Sequence, residues 1–110
     1  MKFTLEEQKS KAIRISLQDD SENELGHAYV FLITNDLHDV PYALLEDVFV
    51  EEAERGKGLG KKLVTEALRV AKEAGCYKII GTSRSSREKV HAFYKQLGFE
   101  EYGKEFRMNL

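Results

Sequence analysis

Arg55-Gly56-Lys57-Gly58-Leu59-Gly60 stands where an apolar, strand-like run gives way to a helical period, and its residue types suit the holding of an anion. Glycine in a helix costs about 1 kcal/mol relative to alanine, so three glycines at a helix start call for a reason. No Ser, Thr, Asp or Asn stands immediately before Gly56 to cap the free N–H groups. Bare N–H groups flanked by Arg55, Lys57 and Lys61 attract phosphate, and the missing β-carbons let a diphosphate reach the main chain. A Walker A loop requires Gly-Lys-Ser/Thr, but Gly60-Lys61 is followed by Lys62, and Arg55 takes the place of the first glycine. A dinucleotide loop requires GxGxxG with an acid ending the next strand. Here the spacing is GxGxG, and the next strand-like run ends Ile80-Gly81-Thr82. A diphosphate-bearing ligand is expected, with nucleoside triphosphates and dinucleotides disfavoured.

A second chemical feature is the acid pair Glu46-Asp47 in the middle of an otherwise apolar run. A carboxylate in a cleft can take the proton an ammonium must lose before it attacks an electrophile. Strand period places the two acids on opposite faces, so one points into the cleft and the other pairs at the surface. The histidines His27, His38 and His91 and the single Cys76 lie too far apart for zinc spacing, and no metal is expected. His91, three residues before Tyr94, shares nearly the same helical face. His38 reads as a solvated loop residue and Cys76 as a small apolar one.

The elements that must position these residues follow from periodicity. Ala12–Leu17 alternates as a half-buried strand, 18–23 is a polar turn, and Gly26–Thr34 returns as the second arm of a hairpin. Ala43–Val50 is a third strand. Leu59, Leu63, Val64, Ala67, Leu68, Ala71 and Ala74 share one helical face, and Gly75 stops that helix. Tyr77–Thr82 reads as a short strand, Arg87–Leu97 as a second helix stopped by Gly98, and Phe99–Leu110 as one or two closing strands. The expected fold is α/β of mixed, mainly antiparallel sheet with two main helices, in one domain over residues 1–110.

The chain resembles the GCN5-related N-acetyltransferases. Arg55–Gly60 is similar to that family's RxxGxG loop, and Val90-His91-Ala92-Phe93-Tyr94-Lys95-Gln96-Leu97-Gly98-Phe99 to its FYxKxGF segment, in the right order. The resemblance covers roughly residues 43–103 and implies acetyl-CoA as acyl donor to a primary amine, small molecule or peptide, attacking directly in a ternary complex. It implies that the main chain of Val48, Phe49 and Val50 pairs with the pantetheine arm. Arg55, Gly56, Lys57, Gly58, Leu59, Gly60 and Lys61 would cradle the pyrophosphate, and Arg87 and Val90 would add contacts from the second helix. Arg87 departs from the family's frequent asparagine. Tyr94 matches the residue that protonates the departing thiolate, and Glu46 the glutamate that deprotonates the amine in polyamine-type members. The family's usual first strand and two helices are missing ahead of Ala12, so the acceptor side is expected to be open or completed by a second subunit. A non-catalytic acyl-CoA-binding or interaction module is the alternative.

Bulk properties narrow the partners. Lys plus Arg number 17 against 19 for Asp plus Glu, a net charge of -2 that offers nucleic acid no broad attraction. The N-terminal segment lacks the apolar run of a signal peptide or membrane span, and one cysteine makes no internal disulfide; a cytoplasmic setting without membrane contact is expected. Apolar surface around Tyr29, Phe31 and Tyr42, left without a lid, predicts a homodimer.

Overall fold

The computed structural model describes residues 1–110. Its elements are β1 (Lys11–Gln18), β2 (Glu24–Ile33), β3 (Tyr42–Val50), a single 3₁₀ turn (Glu52–Glu54), α1 (Leu59–Glu73), β4 (Ile79–Gly81) and α2 (Glu88–Gln96). They form one four-stranded sheet in the order β1-β2-β3-β4, with β1, β2 and β3 antiparallel and β4 parallel to β3. The mixed, mainly antiparallel sheet with two helices is as expected.

The β1–β2 turn is built by Asp19, whose Oδ1 accepts the N–H groups of Ser21 and Asn23, each at 2.9 Å. Three bonds from Ser21 and Asn23 hold its carboxyl below the usual range. α1 lies across one sheet face. Leu63, Val64, Ala67 and Ala71 meet Ala28, Val30, Ala43 and Leu45 there, and these eight side chains are the buried core. The other sheet face carries His27, Tyr29, Phe31, Ile33 and Leu44 with no element over it.

Four expectations need correction. β4 is three residues, shorter than 77–82. The main chain of Tyr77 and Lys78 makes only isolated bonds there, Tyr77 N–H to the carbonyl of Pro41, just before β3, at 3.1 Å and Ala43 N–H to the Lys78 carbonyl at 2.9 Å. Arg87 is the residue capping α2, and the helix itself begins at Glu88. Residues 99–110 form no strand in this chain. Their alternation is real, but a strand needs a neighbour for its main-chain bonds, and none adjoins them. Tyr102, Phe106 and Met108 stay exposed.

The fourth correction matters most. His27 pairs with Phe49 and Tyr29 with Glu46, so Asp47 and Val48 together face Ala28 alone. This is a β-bulge, and Asp47 adopts φ +50 to make it. Left-handed backbone in a non-glycine residue costs about 1 kcal/mol. The extra residue breaks the two-residue period. Ala43 and Leu45 face the core, as do Val48 and Val50, while Glu46 and Asp47 both face outward. The acids therefore share a face, contrary to the alternation expected of a regular strand.

Gly26 is what lets β2 approach this bulged strand. A β-carbon there would stand 2.6 Å from the Phe49 carbonyl oxygen and 3.0 Å from Leu63 Cδ1. Gly26→Ala is expected to cost about 1–3 kcal/mol as an overpacking change. Urea unfolding should show a lower midpoint with an unchanged slope; a midpoint equal to the parent's would mean the bulge yields freely.

Candidate functional site

β3 and β4 pair only through Ala43–Ile79, Leu44–Ile80 and Leu45–Gly81. Beyond Leu45 the strands part, and the stretch Glu46–Val50 keeps a neighbour on the β2 side only. Val48, Phe49 and Val50 thus lie on an edge that a ligand's amide groups can join as a further strand would. Val50 is already partly engaged, since its carbonyl accepts Arg55 Nε at 3.0 Å.

The glycine loop sits at the end of this edge. Gly58 is the N-cap of α1, at φ +78, and no side chain caps the helix. Lys62 N–H, bonded to the Gly58 carbonyl at 3.3 Å, is the first helical donor with a main-chain acceptor; those of Leu59, Gly60 and Lys61 have none. Gly56 is also left-handed, at φ +83, and β-carbons placed on Gly56 or Gly58 would meet nothing within 4 Å. Open space above free donors fits a pyrophosphate. The flanking cations are used unequally. Arg55 lies 5.6 Å from the Phe49 ring centre as well as on Val50, and Lys57 pairs with Glu54 at 2.7 Å, while Lys61 is exposed and in no ion pair.

α2 brings the second motif alongside. A β-carbon on Gly60 would lie 3.8 Å from Phe93 Cζ, so the start of α1 and the middle of α2 are neighbours. Tyr94, partly buried, packs between Phe93 and Phe99 at ring separations of 5.5 and 5.2 Å. Its ring faces Gly81, at the point where the strands part. Burial pushes the phenol pKa up, the Glu46 carboxylate adds to the rise, and Arg87 opposes it. Glu46, Arg87 and Tyr94 are therefore within electrostatic reach of one another. Arg87 is exposed, its N–H given to the Arg84 carbonyl at 3.0 Å, and the partly buried Val90 bonds back to the Arg87 carbonyl at 3.1 Å.

On the far sheet face Glu46 and Asp47 line an open depression of about 630 Å³ whose walls include Tyr29, Phe31, Ile33 and Leu44. Two carboxylates above apolar walls suit a cation with a carbon skeleton. His91 does not join the site. Its Nε2 donates to the Arg84 carbonyl at 2.8 Å and closes the loop into α2. His38 meets the Tyr77 ring at 4.1 Å, tilted by 43°, and burial raises the Cys76 thiol, consistent with packing. Sequence reasoning missed Gly26, the bulge at Asp47, and His27, which meets Asp47 at 2.9 Å. Ser83 Oγ is buried with no partner. Two adjacent acids in an apolar run were the one available signal of the bulge.

Comparison with known proteins fits this geometry. Residues 6–99 match the acetyltransferase (GNAT) family, and the chain belongs to that family, whose members use acetyl-CoA as acyl donor. Glucosamine 6-phosphate N-acetyltransferase of Trypanosoma brucei brucei is 39% identical over 66 residues, 60% of this chain and 43% of that protein. Aminoglycoside N(6')-acetyltransferase type 1 of Stenotrophomonas maltophilia is 32% identical over 81 residues, 74% of this chain and 50% of that one. The chain thus spans half or less of these relatives. A crystal structure of an acetyltransferase from Trypanosoma brucei superimposes with TM-score 0.80 at 27% identity, over 90% of this chain and 69% of that one. No helix is long and apolar enough to cross a membrane.

Acetyl-CoA is expected to stabilise the fold by about 2.7 kcal/mol at one hundred times its Kd. Gly58→Val places a β-branched residue at φ +78 and a side chain in the open space over the loop. It should abolish the acetyl-CoA-induced rise in Tm while the protein still unfolds cooperatively. No rise in the parent at saturating acetyl-CoA would refute the assignment of the loop.

Proposed function

We propose that this chain moves an acetyl group from acetyl-CoA to a primary amine by direct attack in a ternary complex. The observation that carries this reading is the position of Glu46. It lines the outer depression, yet lies at the residue where β3 leaves β4, within the field of Tyr94. A donor along the β3 edge and an acceptor in the depression would meet there.

Each residue then has a distinct task. Val48, Phe49 and Val50 hold the pantetheine arm by main-chain bonds, and Gly56 to Lys61 hold the pyrophosphate. Glu46 takes a proton from the bound ammonium, directly or through water, leaving a neutral nitrogen. As that nitrogen bonds to the acetyl carbon the carbonyl becomes a tetrahedral oxyanion; its collapse re-forms the carbonyl and breaks the carbon–sulfur bond, Tyr94 gives its phenolic proton to the departing sulfur, and the nitrogen gives up its second proton to water. A phenol is protonated at neutral pH, so the proton is in place when thiolate appears. Solvent restores both residues.

The acceptor is a small amine. The Glu46–Asp47 pair supports a cation, and the names of the relatives put an amino-sugar phosphate first in a panel of candidates. The reading extends to a homodimer in which a second copy borders the uncovered outer face around Tyr29 and Phe31. Light scattering at high concentration should return twice the 12.6 kDa chain mass; a monomer would refute that part. A non-catalytic acyl-CoA-binding module would bind acetyl-CoA and release no thiol with any amine.

Tyr94→Phe removes one hydroxyl and should lower kcat by roughly 10- to 1000-fold with acetyl-CoA affinity nearly unchanged. Glu46→Gln should lose most activity at low pH and recover part as pH rises, because more amine is then neutral before it binds. Thiol release measured across pH decides both. Full activity in Tyr94→Phe, or a loss traceable only to early melting, would remove the residue from the chemistry.

A further inference from the structure

His27 stands on the outer face of β2 beside the acid pair. Its Nε2 lies 2.9 Å from Asp47 Oδ2 and its Nδ1 3.8 Å from Glu24 Oε2. The ring stacks on Phe49 at 5.4 Å and 29°, and meets Tyr29 edge-on at 6.1 Å. Only 17% of the side chain is exposed, so these neighbours fix its orientation. An imidazole nitrogen and a carboxylate oxygen 2.9 Å apart need a proton between them, and a carboxylate has none to give. Nε2 is therefore the donor.

Asp47 is the opposite case. Its side chain is 61% exposed, its backbone is left-handed, and His27 is its one hydrogen-bond partner. A carboxylate so placed would sweep several rotamers if untethered. The tether is itself braced. Glu24 receives a two-pronged bond from Arg14 and one from Ser16 Oγ at 2.7 Å, which hold its carboxyl down to about 2. Glu24 thus stays ionised beside Nδ1, while Arg14 lies 5.8 Å from the Tyr29 ring on the far side.

We infer that His27 is a positioning residue for the acceptor: by donating Nε2–H to Asp47 it holds the bulge with both carboxylates turned toward the depression, where they receive a cationic amine. The inference rests on the proposed acetyl transfer and adds to it a division of the acid pair. Glu46 handles the proton. Asp47, oriented by His27, handles binding. The acceptor this arrangement recognises carries an ammonium on a skeleton with an apolar face for Tyr29, Phe31 and Leu44.

Two substitutions separate the donor from the ring. His27→Phe keeps the stacking on Phe49 and loses the donor; His27→Gln keeps a donor amide and loses the ring. With glucosamine 6-phosphate and a panel of primary amines, His27→Phe should raise the acceptor KM about tenfold, the factor that 1.4 kcal/mol represents, with kcat and acetyl-CoA Kd changed less than about threefold. His27→Gln should recover part of the loss. An unchanged KM overturns the inference. So does a loss in which Tm and acetyl-CoA affinity fall together and glutamine restores nothing, since that is the mark of a merely structural ring. ¹⁵N NMR of the parent should report the Nε2–H form at pH 8, with proton exchange that quickens in Asp47→Asn; the Nδ1–H form overturns the inference. If the parent turns over no amine, the acetyltransferase reading fails, and the NMR result alone decides the role of His27 toward Asp47.

Discussion

Asp47 and Val48 of β3 stand opposite the single residue Ala28 of β2, and most of what the site can do depends on that mismatch. Were the same residues in a regular strand, Glu46 and Asp47 would fall on opposite faces, and Val48 and Val50 would leave the core. With it, β3 places Ala43 and Leu45, then Val48 and Val50, against α1, and gives the outer face two consecutive carboxylates. The same stretch of β3 begins where pairing with β4 ends. One strand thereby serves three surfaces: the core, a free main-chain edge and the outer depression.

Other features serve this arrangement. Gly26 allows β2 to approach the carbonyl of Phe49. Arg55 ties the end of β3 through the Val50 carbonyl and the Phe49 ring, so a residue expected to meet phosphate also secures the strand that the loop follows. α1, uncapped at Gly58, presents its N–H groups beside that edge, and its apolar stripe fixes where those groups stand relative to the sheet. Tyr94 reaches the fork from α2, held by Phe93 and Phe99. The core is only eight side chains, so the site's geometry rests heavily on main-chain pairing and close glycine contacts.

Much of this was legible in the sequence because it depends on local chemistry. The helical period from Leu59 and the stop at Gly75 locate α1 to within a residue, and the glycines between Arg55 and Lys61 mark its open start. The hairpin followed from alternation and a polar turn. What escaped depends on pairing between distant segments. Period alone cannot show that Ala28 faces two residues, so the sharing of a face by Glu46 and Asp47, and the approach of His27 to Asp47, were hidden. The alternation of 104–110 is that of a strand, yet whether a strand forms is decided by a neighbour that the pattern does not name.

Donor and acceptor are expected to occupy different sides of one strand and to meet at Glu46. A crystal structure with coenzyme A and an amine substrate tests this directly. Pantetheine amides bonded to the main chain of Val48 to Val50, sulfur beside Tyr94 and the amine nitrogen against Glu46 are the expected result. Coenzyme A bound away from the parted strands, or the edge of β3 closed by another segment of protein, would contradict it.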